Sequence, residues 1–196
     1  MTDGPAIGYP GRQVFLSFAL LAAVAGSLAA GPGAEGLSGA FLAALMLAIA
    51  IADSQRYVIP NALSGAAVAL ALLRAGAIGP EPGLSAMIWA AFRAAAVTAP
   101  LLLLMIGYRR WRGRDGLGLG DIKLAAVAGA WLGFVTIFAV IELAALSALG
   151  AYVANGYLRQ RPLKAAALLP FGLFLAPAIW IGWLVETLLI QAPLRF

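Results

Sequence analysis

Gly116-Leu117-Gly118-Leu119-Gly120-Asp121-Ile122-Lys123 separates two blocks of sequence that otherwise read as membrane helices. Three alternating glycines loosen this backbone and let other groups approach it closely. Asp121 follows where a helix is expected to start, so a carboxylate is delivered at the edge of an apolar environment, where an ionisable group needs water or a partner. Beyond it, one continuous helix from Asp121 to Tyr157 would measure about 55 Å, far more than a hydrocarbon core of about 30 Å. A break at Trp131-Leu132-Gly133-Phe134 is therefore predicted, leaving a short fifth segment and a sixth over 134–157. The short segment can be tilted, re-entrant or set in a thinned region of bilayer.

Working outward, the 196 residues are 63% hydrophobic with a mean hydropathy of +0.97. Only 11% are charged, against roughly 25% in an ordinary soluble domain. The apolar material comes in blocks of about 17–25 residues, the length of a membrane-crossing helix, and none alternates as a barrel strand does. The expected fold is an all-α, polytopic membrane helical bundle of six to seven segments in a single domain over 1–196.

A short polar cytoplasmic tail, 1–13, precedes a first helix over 14–30, read as retained and not as a cleaved signal peptide. Gly31-Pro32-Gly33 stops that helix, and a second over 37–52 ends at Asp53. Pro60 suits the first turn of a third helix over 60–78, since its missing N–H would be unpaired there anyway. A turn at 79–83 leads to a fourth helix over 84–108. The last runs over 165–190, with a kink predicted at Pro170 or Pro177.

The net charge of +5 reflects topology and not nucleic-acid binding, because the cations sit in short loops and are not interleaved with aromatics. Arg12, Arg56, Arg109, Arg110, Arg112, Arg114, Arg159, Arg161 and Lys164 fall on one side if every segment crosses, whereas 31–36 and 79–83 carry no Lys or Arg. The N-terminus and both aspartates, Asp53 and Asp121, are thus expected at the cytoplasmic side. Histidine and cysteine are both absent, which removes disulfides, thiol nucleophiles, Ser-His triads and zinc sites built on His or Cys. No metal and no cofactor is expected, and proton transfer falls to Asp, Glu, Lys or Tyr.

Taken alone, Asp121 reads about as well as a helix N-cap as it does a functional acid. Paired with Asp53 at the same depth, it reads as half of a water-filled cleft, because charge near hydrocarbon is costly unless paired or hydrated. Like-charge repulsion would leave one carboxyl protonated and the other ionised. One can then activate a water while the other gives a proton to a scissile carbonyl, which hydrolyses a peptide bond without Ser, Cys, His or metal. A proton-coupled transporter lined by Asp53, Asp121 and Glu142 is the rival reading, but the halves of the chain show no repeat and the acids lie at one surface. A non-catalytic assembly factor is a third, in which both aspartates are dispensable.

Asp53 followed by Tyr57-Val58-Ile59-Pro60-Asn61, then Gly118-Leu119-Gly120-Asp121-Ile122-Lys123, then Leu169-Pro170-Phe171-Gly172, resembles the type IV prepilin peptidase family of membrane aspartyl proteases. The three motifs stand in the family's order and span roughly 37–175. The resemblance implies that Asp53 and Asp121 form the catalytic dyad, supported by Gly118, Gly120, Lys123, Pro60, Asn61, Pro170, Phe171 and Gly172. It implies an enzyme of the bacterial inner membrane that cuts the basic leader from prepilin or pseudopilin precursors at the cytoplasmic face. Larger members carry a cytoplasmic insertion, usually with paired cysteines, linked with methylating the new N-terminus. This chain has no cysteine and resembles the short, peptidase-only members, such as those serving tight-adherence (Flp) pili, so N-methyltransferase activity is not expected. Beyond the motifs, Lys123 reads first as an interfacial cation on another helix face. Arg93 and Glu142 are predicted to pair between the fourth and sixth segments. Trp131, Trp180, Trp183 and Tyr108 are read as interfacial or packing aromatics.

Overall fold

Seven α-helices, and no strand, form among the described residues of the computed structural model, which are 10–79, 81–113, 118–160 and 170–191. They are α1 (Pro10–Ala30), α2 (Ala34–Arg56), α3 (Asn61–Ala77), α4 (Leu84–Arg112), α5 (Leu119–Trp131), α6 (Phe134–Leu158) and α7 (Gly172–Gln191). Five of them, α1, α2, α4, α6 and α7, are long and apolar enough to cross a membrane, so the protein is an all-α, multi-pass membrane protein. α5 has 13 residues and measures about 20 Å, too short to span a hydrocarbon core of about 30 Å. Residues 10–13 of the expected 1–13 tail already belong to α1, while residues 1–9, the loop residues Arg114, Arg161 and Lys164, and a helix start near 165 lie outside the described residues.

Local chemistry explains where the helices end. α2 closes on Tyr57, whose left-handed backbone (φ 53°) returns its N–H to the Asp53 carbonyl at 2.9 Å. Pro60 (φ −63°) stands one position before α3, as the capping residue, and not inside its first turn as expected. Its ring still fixes the entry, and the extended ψ of 132° directs the chain into the helix. α4 runs past its predicted end to Arg112, through Pro100, and closes at Gly113. The predicted break between α5 and α6 falls at Leu132 and Gly133, both extended. In the last helix Pro170 lies before the first turn and Pro177 inside it.

α5 is the buried axis of the bundle. It packs on α3, α4 and α7 and touches α6 near the break. Leu124, Val127, Ala128, Ala130 and Trp131 are all buried, as expected of a helix that is apolar all round. α1 and α2 pack together and against α7, and α6 leans on α7. Small residues permit this closeness: a side chain at Gly39 of α2 would run into the Trp183 ring of α7, and one at Gly129 of α5 would lie 2.7 Å from the Ala94 Cα of α4. Successive helices alternate in direction, so the C-terminal ends of α2 and α4 and the N-terminal ends of α3, α5 and α7 share one end of the bundle, which carries Arg56, Arg109, Arg110 and Arg112.

The opposite end holds a polar cluster that the sequence reading did not assemble. Glu35 of α2 accepts from Arg74 of α3 in a two-pronged ion pair (Nη2 to Oε1, 2.6 Å; Nε to Oε2, 3.0 Å). Trp183 Nε1 donates to the same carboxylate at 3.1 Å, and the Arg74 guanidinium lies 5.4 Å from the Trp131 ring centroid. Trp131 Nε1 donates to Ala67 O and Trp180 Nε1 to Ser27 Oγ, so these indoles, the first buried and the second partly buried, are packing groups. The predicted Arg93–Glu142 pair does not form. Arg93 Nε donates to Leu132 O at the C-terminal end of α5 (3.1 Å), while Glu142 is exposed on α6. The reason lies in the packing: α4 lies against α5 and α3, and α6 against α7, which turns the two residues toward different neighbours.

Candidate active site

Asp53 sits in the last turn of α2 and is only 6% exposed. Its Oδ2 accepts the backbone N–H of Leu173 at 3.0 Å, so the carboxylate rests on the N-terminal end of α7, where unpaired N–H groups and the helix dipole favour an anion. Gly172 makes that contact possible. A Cβ there would lie 2.9 Å from Asp53 Oδ2 and 2.9 Å from Ile59 Cδ1, closer than side-chain carbons approach. The Pro170-Phe171-Gly172 motif builds the same corner. Pro170 O and Phe171 O accept the first turn of α7 from Leu173, Phe174 and Leu175, and Phe171 packs on the apolar core.

Asp121 lies in the first turn of α5, not at its cap. Gly118 is the capping residue, no side chain caps the helix, and the Asp121 N–H donates to Gly118 O at 3.1 Å. The carboxylate folds back so that Oδ2 would stand 3.1 Å from a Cβ on Gly118. The cap reading of Asp121 therefore does not hold. Burial, and then the nearby charge of Asp53, push its carboxyl up from 3.8 to about 6. Among the described residues neither aspartate has a salt-bridge partner; the ion pair of the bundle, Arg74–Glu35, lies at the other end.

Ile59 joins the two halves. It is 4% exposed, whereas Tyr57 and Val58 just before it are 60% and 59% exposed. Its side chain enters between α5 and α7: Cδ1 lies 3.0 Å from the Cβ position of Gly120 and 2.9 Å from that of Gly172. Sequence reasoning quoted Ile59 in its motif without giving it a role; the available signal was an apolar pair, Val58-Ile59, in a short link between two helices, of which the structure buries only Ile59. Lys123 Nζ makes a long 3.5 Å hydrogen bond to Ile59 O, which ties it to the link. Asn61 is exposed in the first position of α3, with its backbone O accepting from Ser64 Oγ at 3.2 Å. Of the residues singled out in sequence, the structure thus brings Asp53, Gly120, Gly172 and Lys123 against one link, 57–60, with Asp121 next to Gly120 and Gly118 beside the Asp121 carboxylate. Pro60, Asn61, Pro170 and Phe171 frame it.

The pattern of the type IV leader peptidase family matches residues 40–154, which contain both aspartates. The prepilin leader peptidase/N-methyltransferase of Burkholderia pseudomallei is 34% identical over 174 residues, covering 84% of this chain and 52% of that protein. The enzyme of the same name from Xanthomonas campestris is 27% identical over 195 residues, 96% of this chain and 66% of its own length. Leader peptidase HopD of Escherichia coli is 43% identical over a shorter 79 residues, 39% of this chain and 50% of its own. The chain thus spans about half to two thirds of the length of these relatives. No solved structure matches it. The family pattern covers more than half of the chain, and on that match the protein belongs to the type IV leader peptidase family.

Proposed function

We propose that this protein is a membrane aspartyl endopeptidase that removes the leader peptide from type IV prepilin-like precursors, with Asp53 and Asp121 as its catalytic pair. The observation that supports the reading is the nearness of two motif carboxylates, remote in sequence, on helix ends that close on Ile59, with Asp53 on the α7 N-terminus and, among the described residues, no salt-bridge partner for either. Structural carboxylates in an apolar bundle are expected to carry a cation, as Glu35 does. A pair without one is suited to sharing a proton and a water.

In this mechanism one carboxylate takes a proton from water as its oxygen attacks the scissile carbonyl carbon. The protonated partner hydrogen-bonds the carbonyl oxygen and stabilises the charge that develops there. Collapse of the tetrahedral intermediate breaks the C–N bond, the amine leaves with a proton from the pair, and the products are a leader carboxylate and a free N-terminus. Asp121, whose carboxyl is pushed up to about 6, is assigned as the proton carrier. Asp53, anchored by Leu173 N–H, is assigned as the base.

The basic residues at the aspartate end support a cytoplasmic position for the site in the bacterial inner membrane. Precursors whose leader precedes a hydrophobic helix are the substrate class, with Flp-type precursors the first to test. The absence of cysteine supports peptidase action without N-methylation. The test is cleavage of a co-expressed prepilin by wild type, Asp53→Asn and Asp121→Asn at matched membrane levels. Each single variant is expected to lose at least about a thousandfold in rate, and the double variant little more, because the pair acts as a unit. Processing by either variant at the wild-type rate overturns the proposal.

A further inference from the structure

We propose that Ile59 is a positioning residue: its side-chain tip, seated against Gly120 of α5 and Gly172 of α7, sets the spacing between the helix that carries Asp121 and the helix end that anchors Asp53. The inference rests on the proposed Asp53/Asp121 pair. It gives the 57–60 link a function beyond connecting α2 to α3.

The local geometry makes this link a spacer. Tyr57 turns the chain out of α2 with a left-handed backbone, Pro60 fixes its entry into α3, and only Ile59 between them is buried. Its Cδ1 lies 3.0 Å and 2.9 Å from the Cβ positions of Gly120 and Gly172. Glycine at both positions lets the helix backbones close on the methyl group, so the tip of one side chain defines how far apart they stand. Each contact is one step from a carboxylate. Gly120 directly precedes Asp121, and Gly172 directly precedes Leu173, whose N–H holds Asp53 Oδ2 at 3.0 Å. The Lys123 contact to Ile59 O ties the same link to α5.

The two glycines differ in a way that makes the idea testable. The three atoms nearest a methyl group on Gly120 all belong to Ile59: Cδ1 at 3.0 Å, Cγ1 at 3.2 Å and Cβ at 3.4 Å. A methyl group on Gly172 meets Ile59 Cδ1 at 2.9 Å and also Asp53 Oδ2 at 2.9 Å. Trimming Ile59 can therefore relieve the first substitution and not the second.

The experiment measures kcat and KM for cleavage of a purified prepilin by the full chain in detergent, with unfolding temperature recorded for every variant. Gly120→Ala is expected to lower kcat about tenfold to a hundredfold with KM little changed, the size of effect that a shift of up to 1 Å in a reacting group produces. Adding Ile59→Val, which removes Cδ1, is expected to bring kcat back to within about fivefold of wild type. Gly172→Ala is expected to lose at least as much as Gly120→Ala and to gain nothing from Ile59→Val. Ile59→Ala, which adds no atom anywhere, serves if Gly120→Ala fails to fold, and is expected to lower kcat at unchanged KM.

Failure of Ile59→Val to restore Gly120→Ala overturns the inference, as does equal rescue of Gly172→Ala. So does a loss in the Ile59 variants that follows unfolding temperature and not kcat. Asp53→Asn and Asp121→Asn are assayed beside them. If those two still cleave, the catalytic pair is wrong; if they are inactive and the Ile59 cycle fails, only the spacer is.

Discussion

The two ends of this bundle treat carboxylates in opposite ways. At one end Glu35 is held by the Arg74 guanidinium and the Trp183 indole, and Glu186 accepts the Gly133 N–H at 2.8 Å. At the other, Asp53 rests on backbone N–H at the start of α7, and Asp121 has a second carboxylate for a neighbour. The amino acids are nearly the same and the apolar surroundings are shared, so burial does not separate them. Their partners do. A carboxylate joined to a cation stabilises the fold, whereas a buried one facing another carboxylate keeps its proton to higher pH and can give it up near neutrality.

The largest effect that tests this contrast is expected at Glu35. Replacing it with Ala leaves the Arg74 guanidinium, in a side chain only 18% exposed, without its ion pair and the buried Trp183 N–H without its acceptor. Breaking such a pair from one side costs about 3–5 kcal/mol, because the remaining charge stays in a poorly solvated site. Denaturant unfolding in detergent should show the loss. A Glu35→Leu/Arg74→Leu double variant should recover most of it, since two well-packed apolar groups replace the pair without leaving a charge. If the single variant is as stable as wild type, the opposite end is not the clamp described here.

The opposite sign is expected at Asp121. Its carboxyl is pushed up from 3.8 to about 6, so the folded state holds the proton to higher pH than the unfolded state does. The stability from this group is full below about pH 4, declines as pH rises through about 6, and stays reduced above. At pH 7.5 the charged form costs up to about 3 kcal/mol. Asp121→Asn removes that cost, so it should abolish cleavage while raising the unfolding temperature at pH 7.5. The gain should disappear at pH 4. An Asn variant less stable than wild type at both pH values would break the comparison.

Much of the aspartate end was legible in sequence and little of the opposite end was. Asp53, Asp121 and their motifs are local signals: a Gly-rich run, an acid at the end of an apolar block, and a proline that starts a helix. The Leu132–Gly133 break followed from length alone. Two features escaped because they are decided by which helices are neighbours. Arg93 and Glu142 both lie deep in long apolar segments and looked like partners until α4 was found against α5, and α6 against α7. Glu35 and Arg74 sit near the ends of their helices, where single charges read as solvated. The cap reading of Asp121 failed because the helix begins earlier, at Leu119, with Gly118 as its cap. The glycine run is expected to let other groups approach closely, and at Gly120 that group is Ile59.

Glu186 offers the smallest expected effect and the sharpest distinction. Its Oε1 accepts the Gly133 N–H at the N-terminal end of α6, while Arg93 donates to Leu132 O one residue earlier, at the C-terminal end of α5. The break is thus held by an anion where the α6 dipole is positive and by a cation where the α5 dipole is negative. This is a cap supplied from another helix, because neither Gly133 nor Leu132 carries a side chain that could do it. Glu186→Ala should therefore cost about 1 kcal/mol, the typical loss of a helix cap, and Glu186→Gln, which keeps an acceptor oxygen, about half of that. Because the break fixes only the far end of α5, both variants should keep wild-type kcat per folded molecule. A fall in kcat with Glu186→Gln at unchanged stability would mean that the two ends communicate through α5, and that the clamped end contributes to placing Asp121.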